Sequence, residues 1–580
     1  MHVARIKSSH VTKSGQRRAY QSVYLRRSFR EGSKVKHEQL ANLSALPDAA
    51  VTAIEAVLAG EQLVPATDAV RIESALPHGH VAAVCTMARM LGLPALLGPP
   101  CRSRDLAYAL IVSRVLAPAS KLSTLSGWAD TTLGADLGVL GAGTDEVYAA
   151  MDWLHDRHDD IEKQLAARHL GSADNPSRIA MFDLSSSWVT GRHCELAARG
   201  YSRDGKKGCQ QIEYGLLTDP AGRPVAIRVF PGNTADPTAF TTAVSAVKDI
   251  FKLTSMVMVG DRGMITSARI DALKDLGGIG WLTALRAPAI AKLAADDGPL
   301  QMSLFDDQDF AEITHPDYPG ERLICCRNPL LAAERARKRG DLLTATEHLL
   351  APIAAAVAAG RLVGADRIGL KIGAVADKYK MKKHLHITIT DTTVTLTRNH
   401  DRITSEAALD GIYVLRTSVP ATNLDTAAVI AAYKNLAKVE RDFRSLKTDD
   451  LDLRPIHHRL EDRVRAHVLI CMLAAYLTWH LRQALAPLTY TDEHPPDRDD
   501  PVAPARRSTH AATKAARKTT TDTGLPTHSY QGLLTHLGTL TRNQVRFAGT
   551  HTPVPILAQA THTQRQAFQL LDARIPLTLQ

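Results

Sequence analysis

Helical periodicity dominates residues 45–172. Apolar residues recur at three- and four-residue spacing in Leu106–Leu116 and again in Glu146–Leu154, which is the spacing of one buried helix face. Thr144 is the expected N-cap of the second helix. We therefore predict a helical N-terminal region over residues 45–172. Periodicity alone does not decide whether this region is a DNA-binding unit or a packing or dimerisation layer.

The period changes beyond Pro176, where apolar runs and alternation predict strands. These strands are Arg178–Asp183, Tyr214–Thr218, Val225–Phe230, Met256–Val259 and Ile279–Leu285, and helical patterns at Pro237–Phe251 and Ser267–Leu276 lie on either side of the fourth. Three hairpin-linked strands followed by helix, strand, helix and strand is the order of an RNase H-like core. The expected fold class is therefore α/β, with an RNase H-like mixed sheet whose first part is residues 173–286.

The rest of the chain suggests further segments. Residues 287–410 combine a long helical pattern, Leu330–Arg361, with a Thr-rich hairpin around Asp391, and we interpret them as an α+β insertion into the core. The second part of the core is predicted at residues 411–486, where Asp425 caps a helix that runs to about Lys447. A Pro-rich linker over 487–528 and a C-terminal segment over 529–580 follow; the pattern assigns no role to that segment.

Composition narrows the class of protein. A chain of 580 residues with 45% hydrophobic residues is long enough for several domains. The longest apolar stretches are twelve residues, too short to cross a membrane, and no secretory signal pattern opens the chain. Seven cysteines form no C-x-x-C pair, so we expect neither a zinc ribbon nor a disulfide framework, and a reducing cytoplasm fits best.

The net charge of +10 is concentrated at one end of the chain. Residues 1–37 hold ten Lys and Arg against one acid, while the remainder is nearly balanced. This basic β arm, residues 1–44, interleaves its arginines with Tyr20, Tyr24 and Phe29, a pattern typical of contact with a phosphate backbone. The alternative interpretation is a solvated β-hairpin. We expect a nucleic acid as the partner, bound by the basic residues of the arm, among them Arg17, Arg18, Arg26 and Arg27.

Two acids are predicted to end buried strands. Asp183 closes the first strand, and Asp261 closes the fourth within Met258–Gly263. An unpartnered carboxylate is costly to bury, so such an acid is expected to be paired or metal-bound. The alternative for either residue is an Asp that caps a turn or pairs with Arg262 or Arg178.

A third acid, Glu440, lies on the predicted helix that Asp425 caps. Tyr433, Glu440 and Lys447 recur every seven residues along the margin of its apolar stripe, so we expect Glu440 to face inward or nearly so. A solvated i to i+4 pair with Arg444 is the alternative. Three carboxylates of this kind suit two Mg²⁺ ions that support in-line displacement at phosphorus.

These motifs resemble those of bacterial insertion-sequence transposases of the DDE type, whose third acid lies in a Y-x2-R-x3-E-x6-K signature. Here the signature positions are Tyr433, Leu436, Glu440 and Lys447, with Leu436 in place of Arg. The blocks Phe182–Ser186, Gly260–Gly263 and Pro231–Asp236 also resemble family motifs. The resemblance covers residues 178–286 and 410–480.

The resemblance implies double-stranded DNA as the partner, and an enzyme that binds the inverted-repeat ends of its element and joins them to target DNA by metal-dependent cleavage and strand transfer. It implies Asp183, Asp261 and Glu440 as catalytic metal ligands, and Tyr433, Lys447 and Arg262 as DNA contacts. The resemblance also implies a cofactor of two Mg²⁺ ions, for which Mn²⁺ can substitute. It further implies a homodimer in the synaptic complex and a cytoplasmic, nucleoid-associated location. A noncatalytic end-binding repressor and an RNase H-like nuclease without strand transfer are the alternatives.

Overall fold

The computed structural model describes residues 1–11, 15–61, 63, 69–171, 178–206, 208–234, 238, 242, 244–245, 256–295, 298–490 and 524–579. Most of the predicted helix Pro237–Phe251 and most of the predicted linker 487–528 lie outside the described residues. The chain divides into two compact units. The smaller unit is Met1–His78 with Leu540–Ala560, and the larger is Gly79–Thr539 with Thr561–Gln580.

The described strands are β1 (His2–Val11), β2 (Arg17–Glu31), β3 (Lys34–Asn42), β4 (Val70–Pro77), β5 (Ile179–Trp188), β6 (Gln211–Thr218), β7 (Pro224–Pro231), β8 (Met256–Val259), β9 (Ile279–Ala284), β10 (Phe310–Ile313), β11 (Arg322–Arg327), β12 (Leu385–Ile389), β13 (Val394–Arg398), β14 (Ile412–Thr417), β15 (Thr541–Phe547) and β16 (Val554–Leu557).

The described α-helices are α1 (Asp48–Leu58), α2 (Gly79–Met90), α3 (Leu93–Leu97), α4 (Arg102–Leu116), α5 (Lys121–Gly127), α6 (Thr132–Asp136), α7 (Thr144–His155), α8 (His158–His169), α9 (Ser267–Leu276), α10 (Ala287–Leu293), α11 (Pro329–Ala358), α12 (Ala365–Ala376), α13 (His400–Ala407), α14 (Thr426–Lys434), α15 (Leu436–Arg444), α16 (Glu461–Leu485), α17 (Tyr530–Gly538) and α18 (His562–Leu570).

The smaller unit contains two antiparallel sheets. Strands β1, β2 and β3 form one sheet, and α1 packs on one of its faces, where Val23, Leu43 and Val51 are buried together. In the other sheet, β15 lies between β4 and β16. The C-terminal segment, which the sequence pattern left without a role, thus supplies two strands to the unit that contains the N-terminus.

The larger unit is built around an eight-stranded mixed sheet, in the order β10-β11-β14-β9-β8-β5-β6-β7. Strands β5, β6 and β7 are antiparallel, and β5, β8 and β9 run parallel to one another. Each of the five strands predicted between residues 178 and 285 is present, as is the helix predicted at Ser267–Leu276. The α/β prediction is therefore confirmed as a mixed sheet.

The segment predicted as an insertion, residues 287–410, is not wholly separate from this sheet. Its strands β10 and β11 extend the sheet next to β14, because β11 pairs antiparallel with β14 along six residues. Helices α11 and α12 and the hairpin β12–β13 enclose a small apolar core of their own. Only this later portion, after Pro329, has an independent core within the described residues.

Helix α16 is the central helix of the larger unit. All residues from Ala466 to Thr478 are buried, because the helix packs against α2, α4, α7 and β7. With the turn that follows, Glu461–Leu488 is long and apolar enough for a membrane span, as is the bent α4–α5 pair if counted as one. The most apolar window of Glu461–Leu488 is 83% buried within the protein, as expected for a core helix.

Candidate active site

Asp183 lies in the middle of β5, where it pairs with Leu216 of β6. The prediction that it ends the strand is wrong, because the strand continues through three buried serines to Trp188. Two of these serines have hydroxyl partners inside the protein: Ser187 shares a hydrogen bond of 3.0 Å with Tyr214, and Ser186 accepts one from the Arg203 amide at 3.0 Å. The polar run after Leu184 therefore forms strand.

Asp261 follows β8, the parallel neighbour of β5. The last paired positions of the two strands are Met181 and Val259. Continuing this register by two residues aligns Asp183 with Asp261, and residues aligned on adjacent parallel strands project to the same face of a sheet. The extended register therefore sets the two acids, predicted from separate motifs, beside each other, with Asp261 just beyond the end of β8.

The Asp261 carboxylate also organises its own turn. Its Oδ1 accepts hydrogen bonds from the amides of Gly263 (2.9 Å) and Met264 (2.6 Å). The turn-capping alternative is thus present at Asp261, and it fixes the carboxylate beside the sheet. Asp183 is held more simply, by one hydrogen bond of 2.8 Å from the Leu184 amide to its Oδ1.

Burial raises the pKa of Asp183 to about 7, and the negative charges of Asp261 and Glu440 raise it further against the opposing effect of the Leu184 amide and of Arg203. Like charges disfavour the ionised form of a neighbouring carboxyl group. Both other predicted acids therefore act electrostatically on Asp183, and the site concentrates negative charge.

Helix α15 covers the face of the sheet that carries Asp183. Ser185 is opposite Tyr214 in the β5–β6 register, and by two-residue alternation Asp183 and Ser185 share a face. The rings of Tyr214 and Phe443 are 5.8 Å apart in an edge-on arrangement, so α15 packs on that face. Glu440 lies three residues before Phe443 and thus projects from nearly the same side of the helix.

The helix that carries Glu440 differs from the prediction in two respects. It ends at Lys434, restarts as α15 at Leu436 and continues into a π-helical turn, Ser445–Asp449. The Glu440 side chain is exposed rather than inward-facing, although Val439, Phe443 and Leu446 of the same apolar stripe are buried. Asp425 caps α14 as predicted, accepting the Ala428 amide at 2.7 Å. In the described chain, Glu440 forms no ion pair with Arg444.

The donor chemistry of the three acids suits a divalent cation, since hard cations such as Mg²⁺ prefer carboxylate oxygens. The elevated pKa of Asp183 is the mark of a carboxyl group whose charge lacks compensation. Among the described residues, however, no three acidic, histidine or cysteine side chains are arranged closely enough to hold one ion. The acids therefore share a face and an electrostatic environment without forming a closed three-ligand site.

Two predicted DNA contacts lie beside the acids. Tyr433 is partly buried, and burial together with Asp261 and Glu440 raises its pKa to about 12, while Arg262 lowers it. Tyr433 and Arg262 also line a cavity of about 860 Å³. Arg335, Lys383 and Arg402, from the segment predicted as an insertion, contribute basic groups to the same cavity.

Lys447, the remaining signature residue, occupies a different environment. It is buried in the π-helical turn and donates a hydrogen bond of 2.8 Å to Asp204. Arg454 forms an ion pair of 2.5 Å with the same carboxylate, whose side chain is 2% exposed. Burial lowers the pKa of Lys447. In this structure Lys447 therefore serves an internal ion-pair cluster rather than an open surface.

Sequence reasoning missed Arg203 and Asp204, which lie in the loop between β5 and β6. Arg203 acts electrostatically on Asp183, and Asp204 anchors Lys447. Neither residue belongs to a recognisable motif. Leu436 stands where the family signature has Arg. The nearby Lys438 does not replace that Arg, because its ammonium group is directed to the main-chain oxygen of Pro220 at 3.3 Å.

The arginines of the predicted arm lie on β2. Arg17, Arg18 and Arg27 are exposed and Arg26 is partly exposed. Because alternate residues of a strand share a face, Arg18 and Arg26 lie with Tyr20 and Tyr24 on the face opposite Val23, which packs against α1. The guanidinium of Arg26 is 5.7 Å from the centre of the Tyr24 ring. This open face of the β1–β3 sheet combines cations with aromatic rings.

Comparison with known proteins gives two family matches. Residues 181–477 match the transposase DDE domain, and residues 7–67 match the N-terminal domain of IS1634 family transposases. No curated protein matches the chain. Among solved structures, the piggyBac transposase synaptic complex with hairpin DNA matches at 8% identity with a TM-score of 0.31, covering 69% of this chain and 71% of that one. Since the DDE match spans just over half of the 580 residues, the chain belongs to the family of transposases with a DDE domain.

Proposed function

We propose that this transposase binds the inverted-repeat ends of an insertion sequence, cleaves them and joins them to target DNA, using Asp183, Asp261 and Glu440 as its catalytic acids. One observation carries the proposal. Asp183 and Asp261 each lie two residues beyond the last paired positions of the parallel strands β5 and β8, and the helix of Glu440 packs on the face of the sheet that carries Asp183. The charges of Asp261 and Glu440 add to the effect of burial in raising the pKa of Asp183, which supports the proposal that the three acids lie near one another.

We infer that β5 to β9 form an RNase H-like core. Three antiparallel strands followed by two parallel ones, in the order β7-β6-β5-β8-β9, match the predicted order of such a core. Strands β14, β11 and β10 extend this arrangement on the β9 side. In this core the central strand β5 carries Asp183, and its neighbour β8 ends two residues before Asp261.

Asp183, Asp261 and Glu440 would hold two divalent ions, Mg²⁺ or Mn²⁺. Bound there, such ions polarise the phosphodiester and lower the pKa of an attacking water or 3′-hydroxyl. Water and phosphate oxygens commonly complete the coordination of Mg²⁺, which is consistent with an incomplete protein ligand set. Asp261 enters this site with its carboxylate oriented by two main-chain amides.

Tyr433 and Arg262 orient the DNA strand at the acids. The raised pKa of Tyr433 keeps its hydroxyl protonated at neutral pH, so it can donate a hydrogen bond to a phosphate oxygen. The Arg262 guanidinium supplies a charge-assisted donor of the same kind. Arg335, Lys383 and Arg402, across the same cavity, would attract the backbone of the flanking duplex.

The basic sheet of the smaller unit binds duplex DNA through Arg17, Arg18, Arg26 and Arg27. The ten Lys and Arg residues within residues 1–37 suit contacts with the DNA phosphate backbone. The aromatic rings on the open face can reinforce these contacts through cation–π pairs. Lys447 keeps its predicted DNA role only if it leaves Asp204. We expect a homodimer in the synaptic complex, acting on DNA in the cytoplasm.

A cleavage and strand-transfer assay tests this function. The full chain is incubated in Mg²⁺ with duplexes that carry the element ends and with a supercoiled target plasmid. The proposal predicts nicking at the ends and covalent joining of the 3′-ends to the plasmid. Cutting without joining would indicate a nuclease, and binding without cutting would indicate a repressor; either result contradicts the proposal.

A further inference from the structure

A second cavity of the larger unit, distinct from the one beside Tyr433, has several basic side chains in its lining. It has a volume of about 450 Å³ and lies among the α4–α5 turn, the loop before α16 and α16 itself. Arg114, Lys121, Arg454, His458 and His467 are part of its lining. We call it the Lys121 cavity.

Two of these cations are buried without a carboxylate partner. Arg114 is 5% exposed and Lys121 is 6% exposed, and neither forms an ion pair with any described residue. Arg114 donates to the main-chain oxygens of Ala119 (2.9 Å) and Leu451 (3.4 Å). Asp452 also lines the cavity but is exposed. Buried charges are normally paired, so this pair of cations lacks a counterion.

His467 cannot serve as that counterion, and its contacts define how Lys121 is oriented. Its Nε2 lies 3.1 Å from the main-chain oxygen of Leu453, so that nitrogen carries the proton. Its Nδ1 therefore accepts from Lys121 Nζ, at 3.3 Å. An ammonium group has three donors, and in the described chain only this one has a protein partner.

The pKa shifts of Lys121 and of two histidines in the cavity also indicate that a counterion is missing. Burial, together with the charge of Arg114, lowers the pKa of Lys121 to about 7. Burial lowers the pKa of His458 to about 3, and that of His467 also falls well below its ordinary value. The histidines are thus neutral donors or acceptors, and an anion would restore the charge that burial removes from Lys121.

We propose that the Lys121 cavity binds a phosphate group. Free Lys121 donors, the unpaired Arg114 charge and the guanidinium of Arg454 suit an anion with several acceptor oxygens. The group would come either from free phosphate or from the backbone of bound DNA. Arg454 also pairs with Asp204, which holds Lys447, so the cavity adjoins the turn after the Glu440 helix. The proposal does not depend on the catalytic assignment of the acids.

Calorimetric titration of the full chain with inorganic phosphate at pH 7 tests the proposal. We expect wild-type protein to bind and Lys121→Met to bind at least tenfold more weakly. Lys163→Met, which removes an exposed lysine from α8, should bind like wild type. Absence of phosphate binding by wild type, or equal binding by a folded Lys121→Met protein, would overturn the proposal.

A second measurement needs no variant. Acetylation of wild-type Lys121 by acetic anhydride, followed by mass spectrometry, should slow when phosphate replaces chloride at matched ionic strength. Unchanged acetylation would also overturn the proposal. A short duplex without element ends separates the two sources: if it displaces phosphate and protects Lys121, the DNA backbone is the ligand, and if it does neither while phosphate binds, free phosphate is.

Discussion

Asp183 lies in β5 two residues beyond Met181, and Asp261 lies two residues beyond Val259, where β8 ends; Met181 and Val259 are the last paired positions of these two parallel strands. Asp183 is largely enclosed by the sheet and by the helix above it, while Asp261 caps an exposed turn with its Oδ1. The two carboxyl groups therefore differ: that of Asp183 resists ionisation, and that of Asp261 is oriented by main-chain amides.

This relationship predicts that Asp183 makes metal-free stability depend on pH. Its folded pKa of about 7 lies above an unfolded value of ~3.9. The folded protein then holds the proton more tightly, so this contribution to the free energy of unfolding is complete below pH ~4 and is lost as pH rises through about 7.

Asp183→Asn, which mimics the protonated group, should therefore melt above wild type at pH 8 in EDTA, by on the order of 1–3 °C, and match it at pH 4. Thermal melts across this range measure the difference. Asp271→Asn, at an exposed position of α9, is the control and should show no such trend. Parallel pH profiles for wild type and Asp183→Asn would contradict the assignment.

The basic sheet predicts the salt dependence of DNA binding. Replacing Arg17, Arg18, Arg26 and Arg27 with Gln should weaken binding and reduce the slope of log K against log salt by about 0.9 for each lost phosphate contact. Substitution is preferable to deletion of residues 1–37, because deletion would cut through β3 and expose the face under α1.

Two double variants refine this test. Arg18→Gln with Arg26→Gln alters the open face, whereas Arg17→Gln with Arg27→Gln alters the side of β2 that carries Val23. We expect the open-face pair to produce the larger change in slope, measured by fluorescence anisotropy at several salt concentrations. An unchanged slope in the quadruple variant would exclude the sheet as a DNA contact.

Lys447 should matter more for stability than for DNA affinity as long as it stays with Asp204. Lys447→Met removes a charge-assisted hydrogen bond to a buried carboxylate, at a cost of about 1.5–3 kcal/mol. Urea denaturation measures this loss, and adding Asp204→Asn to the variant should recover part of it. A stable Lys447→Met protein with strongly weakened end binding would instead support the DNA role.

Single substitutions of the three acids should abolish chemistry and spare binding. Asp183→Ala, Asp261→Ala and Glu440→Ala are each expected to lower cleavage of end DNA by at least 10³-fold, because each removes a ligand that charge stabilisation requires. Affinity for the ends should stay within about threefold of wild type. Asp271→Ala is the matched control, and cutting retained by any of the three variants removes that residue from the site.

Local patterns predicted the strands and motifs of the core because burial and alternation are properties of short segments. The pattern could not show that Ser185 to Ser187 continue β5, since the hydroxyls of Ser187 and Ser186 have their partners in Tyr214 and the Arg203 amide, which belong to later segments of the chain. An isolated polar run after apolar residues has the composition of a turn.

The remaining differences have similar causes. The apolar stripe of residues 429–446 continues across Asn435, so periodicity did not indicate the helix break or the π turn. Strand β15 pairs with β4, almost the whole chain away, and no local signal specifies such a partner. Asp204 was missed because its role depends on Lys447 and Arg454, which reach it only in the folded protein.

The central claim is that three carboxylates from β5, the end of β8 and α15 share divalent ions. Anomalous scattering from crystals of the protein with end DNA, grown in Mn²⁺, tests it most directly. The account predicts manganese peaks bounded by Asp183, Asp261 and Glu440 in wild type, with loss of occupancy in Asp183→Ala. Manganese bound elsewhere, or bound at this position without any of the three carboxylates as ligands, would contradict it.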